Sequence, residues 1–381
     1  MLLRALSCSL LLSFQFCIAA PDKETPKISA EGAPPADLPE PPFKIKAPAD
    51  PPAQVEKIDL KTVDAEDLSG YAAQAMEAEN TDDAYAFLFW SLRRAPRGGE
   101  MQALARLSIT RNKTDDAYYW LQRAIVEDQF DPDDTGADPA FKPVRTDERY
   151  AKLKAFSLAA REVWKKSGYH REMVTTPKGY KPGTPVPVFI ALHGLGSQPE
   201  DFGRSGEPQD LADELGAAIV SISATEPWGK NSFSWKEDFE ADWTHIQKSL
   251  ERVKDKVTPQ PGRCIAAGFS QGGQLAAELA AAHPDFFAGA IVMSPGYRGK
   301  RRLEDALKAG GAKTAVQLYF ITWITEEDKT TVAAAKEDEK ILTAARARVI
   351  SHGFPGDSHS FPPDQMDHFA IWAKLILAGK P

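Results

Sequence analysis

The stretch CIAAGFSQGGQLAAELA, residues 264–280, constrains the fold more than any other part of this chain. A short apolar run leads up to Ser270 and an alanine-rich run leads away, so a buried strand passes into a helix with one serine at the junction. Gly268, Gly272 and Gly273 surround that serine. Glycines gathered at such a junction allow a cramped turn, and the turn lifts the serine oxygen to the carboxyl edge of a sheet. Gly-x-Ser-x-Gly is a weak signal by itself; its place between strand and helix is what gives it weight. The helix that follows also aims its positive end at any negative charge developing there.

The surrounding sequence supplies such a sheet. Strand-like runs recur as VPVFIALHG, AAIVSIS, CIAAGF, FAGAIVMS, VQLYFIT and ARVISHGF, separated by helix-like stretches such as PQDLADELG and FEADWTHIQKSLERVKDK. Buried strands alternating with helices predict a mostly parallel sheet flanked by helices over residues 168–381. Residues 59–167 have a different texture. TDDAY occurs at Thr81–Tyr85 and again at Thr114–Tyr118, an offset of 33 residues, each time ahead of aromatic and leucine positions. Helix pairs of about that period resemble tetratricopeptide repeats, so a smaller all-α domain is expected, either packing as a cap or offering a groove to a protein partner. Residues 21–58, dense in proline, alanine and charge, read as an extended, disordered linker. Residues 1–20, with Arg4, an apolar centre and small residues before Pro21, read as a cleavable signal peptide and hence a secreted or periplasmic protein.

A serine of ordinary acidity needs a base and a site for the oxyanion. One N–H for that site is expected from Gln271, directly after the serine, and the other from Leu195 in LHGLGSQPEDF, a loop following an earlier strand. The base should follow the serine in the chain, because the order for this kind of turn is serine, acid, histidine. Of seven histidines, His359 in FPGDSHSFP stands in a loop after the last expected strand; His170, His193, His245, His283, His352 and His368 fall in turns, strands or helices elsewhere.

LHGLG, GFSQGG followed by AAHPDFFAGAIVMSP, and FPGDSHSFP together resemble the phospholipase/carboxylesterase group of α/β-hydrolases, with poly(hydroxybutyrate) depolymerases and feruloyl esterases similar in layout. The resemblance covers roughly the last 210 residues. It implies an α/β-hydrolase fold and a serine esterase that works through a Ser-His-Asp triad and an acyl-enzyme, with no metal and no cofactor. The acid segment departs from the group's pattern. VQLYFITWITEEDKTT has Trp323 where the group carries glycine; Asp328 is the preferred acid, with Glu326 and Glu327 near enough to serve. Trp228 and Trp235, in EPWGKNSFSW, are candidates to stack on a substrate or to pack their own loop.

The remaining signals bound the partners. The net charge of −8 and the lack of a basic run argue against nucleic acid. No stretch after the signal is long and apolar enough for an integral membrane protein, and Cys264, the one cysteine outside residues 1–20, reads as a buried small residue. An ester substrate, small or attached to a polymer, fits best. Two rival readings stay open: a decayed hydrolase that binds through its helical repeat, and a serine peptidase on the same fold.

Overall fold

The computed structural model describes residues 27–31, 35–94, 98–127, 139–204, 208–296, 302–356, 358–361 and 365–379. The expected signal peptide lies outside them. Two compact units emerge. One comprises the strand at Lys27–Glu31, Tyr169–Pro227 and the chain from Phe233 onward; the other is Pro34–Gly168 with Trp228–Ser232.

The first unit is built on an eight-stranded sheet: β1 (Lys27–Glu31), β2 (His170–Thr175), β3 (Val188–Leu192), β4 (Ala218–Ile222), β5 (Cys264–Phe269), β6 (Phe287–Met293), β7 (Leu318–Ile324) and β8 (Arg348–Phe354). Their order is β1-β2-β4-β3-β5-β6-β7-β8. Strand β2 runs antiparallel to both its neighbours, and every other pairing is parallel. This is an α/β-hydrolase-like sheet, as expected. Six strands match the apolar runs of the sequence. The other two lack that signature, for different reasons. Strand β2 carries Arg171 and Glu172, each buried by pairing, with Glu200 and Arg252 respectively. Strand β1 comes from the proline-rich segment and is held by its antiparallel ladder to β2.

The second unit contains the helices α1 (Ala65–Glu77), α2 (Thr81–Leu92), α3 (Gly98–Thr110), α4 (Thr114–Glu127) and α5 (Arg149–Lys166). The repeat seen in the sequence is structural. Leu68 and Met101, Ala72 and Ala105, Ala84 and Ala117, Tyr85 and Tyr118, and Leu88 and Leu121 stand 33 residues apart, and all are buried. Both TDDAY copies open the second helix of a pair, although Asn80 rather than Thr81 caps α2. The acids of the first turn then sit at the positive end of each helix.

The linker expected over residues 21–58 needs correction. Besides forming β1, this segment lays Leu38, Phe43 and Ile45 against the core of the helical unit. The Gln122 amide accepts from Phe43 N–H at 3.3 Å and donates to Phe43 C=O at 3.1 Å. The Trp90 indole donates to the Pro52 carbonyl, and Arg93 pairs with Asp50. Prolines prevent a helix here, but an extended chain with spaced apolar side chains can still be held by side chains of a neighbouring surface.

Candidate active site

In the hydrolase-like unit, β3 to β8 all end at one edge, and Leu195, Ser270, the acids Glu326 to Asp328, and His359 each follow one of those ends. Helix α6 (Pro208–Leu215) precedes β4, α7 (Phe239–Arg252) follows it, and α8 (Gln271–Ala282) leaves β5 directly. Ser270 occupies the step between β5 and α8 with φ 56° and ψ −121°, a strained conformation for a residue with a side chain. The glycines make the step feasible. A Cβ on Gly268 would stand 2.1 Å from the Gly272 carbonyl oxygen, and one on Gly272 the same distance from the Leu192 oxygen. Ser270 N–H donates to Met293 C=O at 2.9 Å, which ties the turn to the end of β6.

The loop after β3 closes on the serine: a Cβ on Gly194 would lie 3.4 Å from Ser270 Cβ. His193 fixes this loop. Its Nδ1 meets Gly194 C=O at 2.7 Å, and its Nε2 accepts from Ala224 N–H at 3.0 Å, so the ring is neutral with the proton on Nδ1. Burial holds His193 down to about 4, and both ring nitrogens are occupied, so it is a brace and not a base. The N–H groups of Leu195 and Gln271 have no acceptor among the described residues.

Beyond β8, His359 packs its ring on Phe269, the residue before the serine, at 4.7 Å. The carboxylate that meets it is Glu327, whose Oε2 lies 2.7 Å from His359 Nδ1. Glu327 is fully buried, and its Oε1 accepts from Ser294 Oγ at 2.9 Å and from Ile324 N–H at 2.8 Å. The expectation of Asp328 as the acid is therefore corrected. Asp328 is exposed and caps helix α9 (Lys329–Ala344), accepting from Thr330 N–H at 2.8 Å. The reason is register. Strand β7 continues through Trp323 and Ile324, the following helix takes Asp328 as its cap, and the residue before the cap turns inward. Glu326 is exposed and makes a backbone bond to Gly356. Counting a helix-capping Asp from the Lys-Thr-Thr that follows was the available signal. Nothing in the sequence marked Ser294.

The two tryptophans are not presented to a ligand. Trp235 is buried; its indole donates to His193 C=O at 2.9 Å, and its main chain pairs with both ends of the Gln271 side-chain amide. Trp228 belongs to the helical unit, where the Arg161 guanidinium lies 4.0 Å over its ring. Both pack structure, because a large ring covered on all sides has no face left for substrate. Cys264 is buried as expected, and burial pushes its thiol up to about 12.

A strained serine between strand and helix on such a sheet defines an α/β-hydrolase-like protein. The chain belongs to the Esterase family, described as "Putative esterase", whose match spans residues 170–381. Among curated proteins, "Putative esterase NocK" of Nocardia uniformis subsp. tsuyamanensis is 31% identical over 116 residues, which cover 28% of this chain and 34% of that protein. The chain thus spans about a third of that curated relative's length. Similar solved structures include a ferulic acid esterase, 15% identical over 57% of this chain and 95% of that one, with TM-score 0.45. The ferulic acid esterase AmCE1/Fae1A from Anaeromyces mucronatus, solved with ferulic acid, is 16% identical over 56% and 88%, with TM-score 0.43. Zea mays acyl-protein thioesterase 2 is 17% identical over 54% and 98%, with TM-score 0.41.

Proposed function

We propose that this protein is a secreted or periplasmic serine esterase in which Ser270, His359 and Glu327 form the triad. The observation that carries the reading is the 2.7 Å contact between His359 Nδ1 and the buried Glu327 carboxylate. An ionised carboxylate only accepts, so this contact places the imidazole proton on Nδ1 and leaves Nε2 free to take a proton. Ser270 Oγ attacks the ester carbonyl as its proton passes to His359 Nε2. The N–H groups of Leu195 and Gln271 hold the oxyanion. Collapse expels the alcohol, which leaves with the proton from His359, and an acyl group stays on Ser270. A water then gives a proton to His359 and its oxygen to the acyl carbon; the acid departs and Ser270 recovers its proton.

The rings of Phe269 and Phe361 stack at 4.5 Å beside His359 and are only partly buried. They take the place the tryptophans were expected to fill, as an apolar wall for a small acyl or aromatic group. Helices α1 to α4, two pairs at one spacing, support a tetratricopeptide-like reading of the helical unit. The signal-like residues 1–20 support export. Replacing Ser270 by alanine should lower hydrolysis of p-nitrophenyl acetate at least about a thousandfold and abolish fluorophosphonate labelling, with the melting temperature maintained. Parent-like turnover in that variant would overturn the assignment.

A further inference from the structure

We propose that Ser294 is a positioning residue for the acid: its hydroxyl clamps Glu327 so that the other carboxylate oxygen stays on His359. The inference rests on the serine-esterase reading above. Two independent observations carry it. The first is the bonding around Glu327. Among the described residues, its Oε1 takes two donors, Ser294 Oγ and Ile324 N–H, while Oε2 is left to His359. A glutamate reaches further than an aspartate and has one more torsion to fix, so a single contact to the imidazole would leave it free to swing. With Oε1 pinned by both donors, the carboxylate has one remaining orientation.

The second observation is the backbone. Ser294 lies just past β6 with φ 41°, a left-handed conformation that disfavours any residue with a side chain. Its N–H donates to Thr322 C=O at 2.7 Å, which ties the end of β6 to β7, and the residue is buried. Glycine would satisfy this backbone with less strain. Strain kept at a buried position next to a reactive group is accounted for when the side chain performs a task glycine cannot, and here the hydroxyl is the only polar group it supplies. The same crossing carries Ser270, whose N–H bonds Met293, the residue before Ser294. Nucleophile and clamp are thus set by one strand end.

The test compares Ser294→Gly and Ser294→Ala, alone and in the Glu327→Gln background, by steady-state kinetics on p-nitrophenyl acetate and by thermal unfolding. Glycine relieves the backbone and alanine does not, so their stabilities should differ. If the hydroxyl positions the acid, both should nevertheless lose about tenfold in kcat with KM within about twofold. In the Glu327→Gln background neither should lower kcat further, because the serine acts only through that carboxylate. Parent-like kcat in Ser294→Gly, while Ser270→Ala and Glu327→Gln are both crippled, overturns the inference and leaves the esterase reading standing. So does a further tenfold loss in the double variant. Parent-like turnover of Ser270→Ala overturns the esterase reading, and the inference with it.

Discussion

Which of two adjacent acids reaches His359 turns on one residue of register, and the two differ in what they hold. Glu327 is buried against His359, whereas Asp328 stands in solvent at a helix start, where hydrogen bonds from the Thr330 hydroxyl and amide lower its pKa. Asparagine caps a helix about as well as aspartate. Asp328→Asn should therefore leave both kcat and melting temperature near the parent's, and Asp328→Ala should cost about 1 kcal/mol of stability with kcat unchanged. Glu327→Gln should lower kcat at least about a hundredfold, since an amide can neither stabilise the imidazolium nor enforce the tautomer. A collapse of turnover in Asp328→Asn would contradict the register described here. Side-chain direction at this turn follows from where β7 stops, and that strand runs two residues beyond the apolar run VQLYFIT because Trp323 packs over Gly353 of its neighbour. The sequence narrowed the acid to three candidates, and the pairing of β7 with β8 chose among them.

At the scale of elements, the proline-rich segment behaves as a strap. Between Phe43 and Pro52 it is held by side chains of the helical unit rather than by a ladder, and Gln122 satisfies both main-chain groups of Phe43. The Phe43 ring also meets Tyr118 edge-on at 5.2 Å. Gln122→Ala removes two hydrogen bonds worth on the order of 1–2 kcal/mol together, so local opening of the strap should become about tenfold more frequent. Lys44 and Lys46 are cleavage sites for trypsin within it. Limited digestion of the full chain should therefore cut there about tenfold faster in Gln122→Ala than in the parent. Equal rates would show that these bonds do not hold the strap. Composition could not reveal it, because low hydrophobicity over a window masks three well-spaced apolar side chains that find a surface only once α4 exists.

For the molecule as a whole, buried histidines set the response to acid. Burial holds His170 and His193 to about 4 and His245 to about 3, so each stays neutral in the folded state where the unfolded chain, titrating near 6.5, takes up a proton. Stability from these groups is complete above about pH 7 and is lost as pH falls from about 6.5 towards 4. Asp242 opposes them. Burial pushes its carboxyl up to about 7, so it keeps a proton that the unfolded chain has released, and the resulting cost shrinks as pH falls. Three histidines outweigh one carboxyl, by on the order of 3 kcal/mol between pH 7 and pH 5. The melting temperature of the hydrolase-like unit should drop by about 5–10 °C over that interval. A constant or rising value would show that these histidines are not held neutral.

Local pattern alone determined that a serine stands between a buried strand and a helix, that a parallel sheet surrounds it, and that helix pairs recur every 33 residues. These features depend on spacing and on glycine, which act within a few residues of themselves. Tertiary structure decided the rest. It buried Arg171 and Glu172 in a strand by giving each a partner from elsewhere in the chain. It made His193 a brace by occupying both its nitrogens, and turned Trp235 inward to hold that same loop. It brought Ser294 to Glu327 across 33 residues of chain. A charged or hydroxyl side chain gains its role from the group it meets, and when that group lies on another strand no local pattern encodes the meeting.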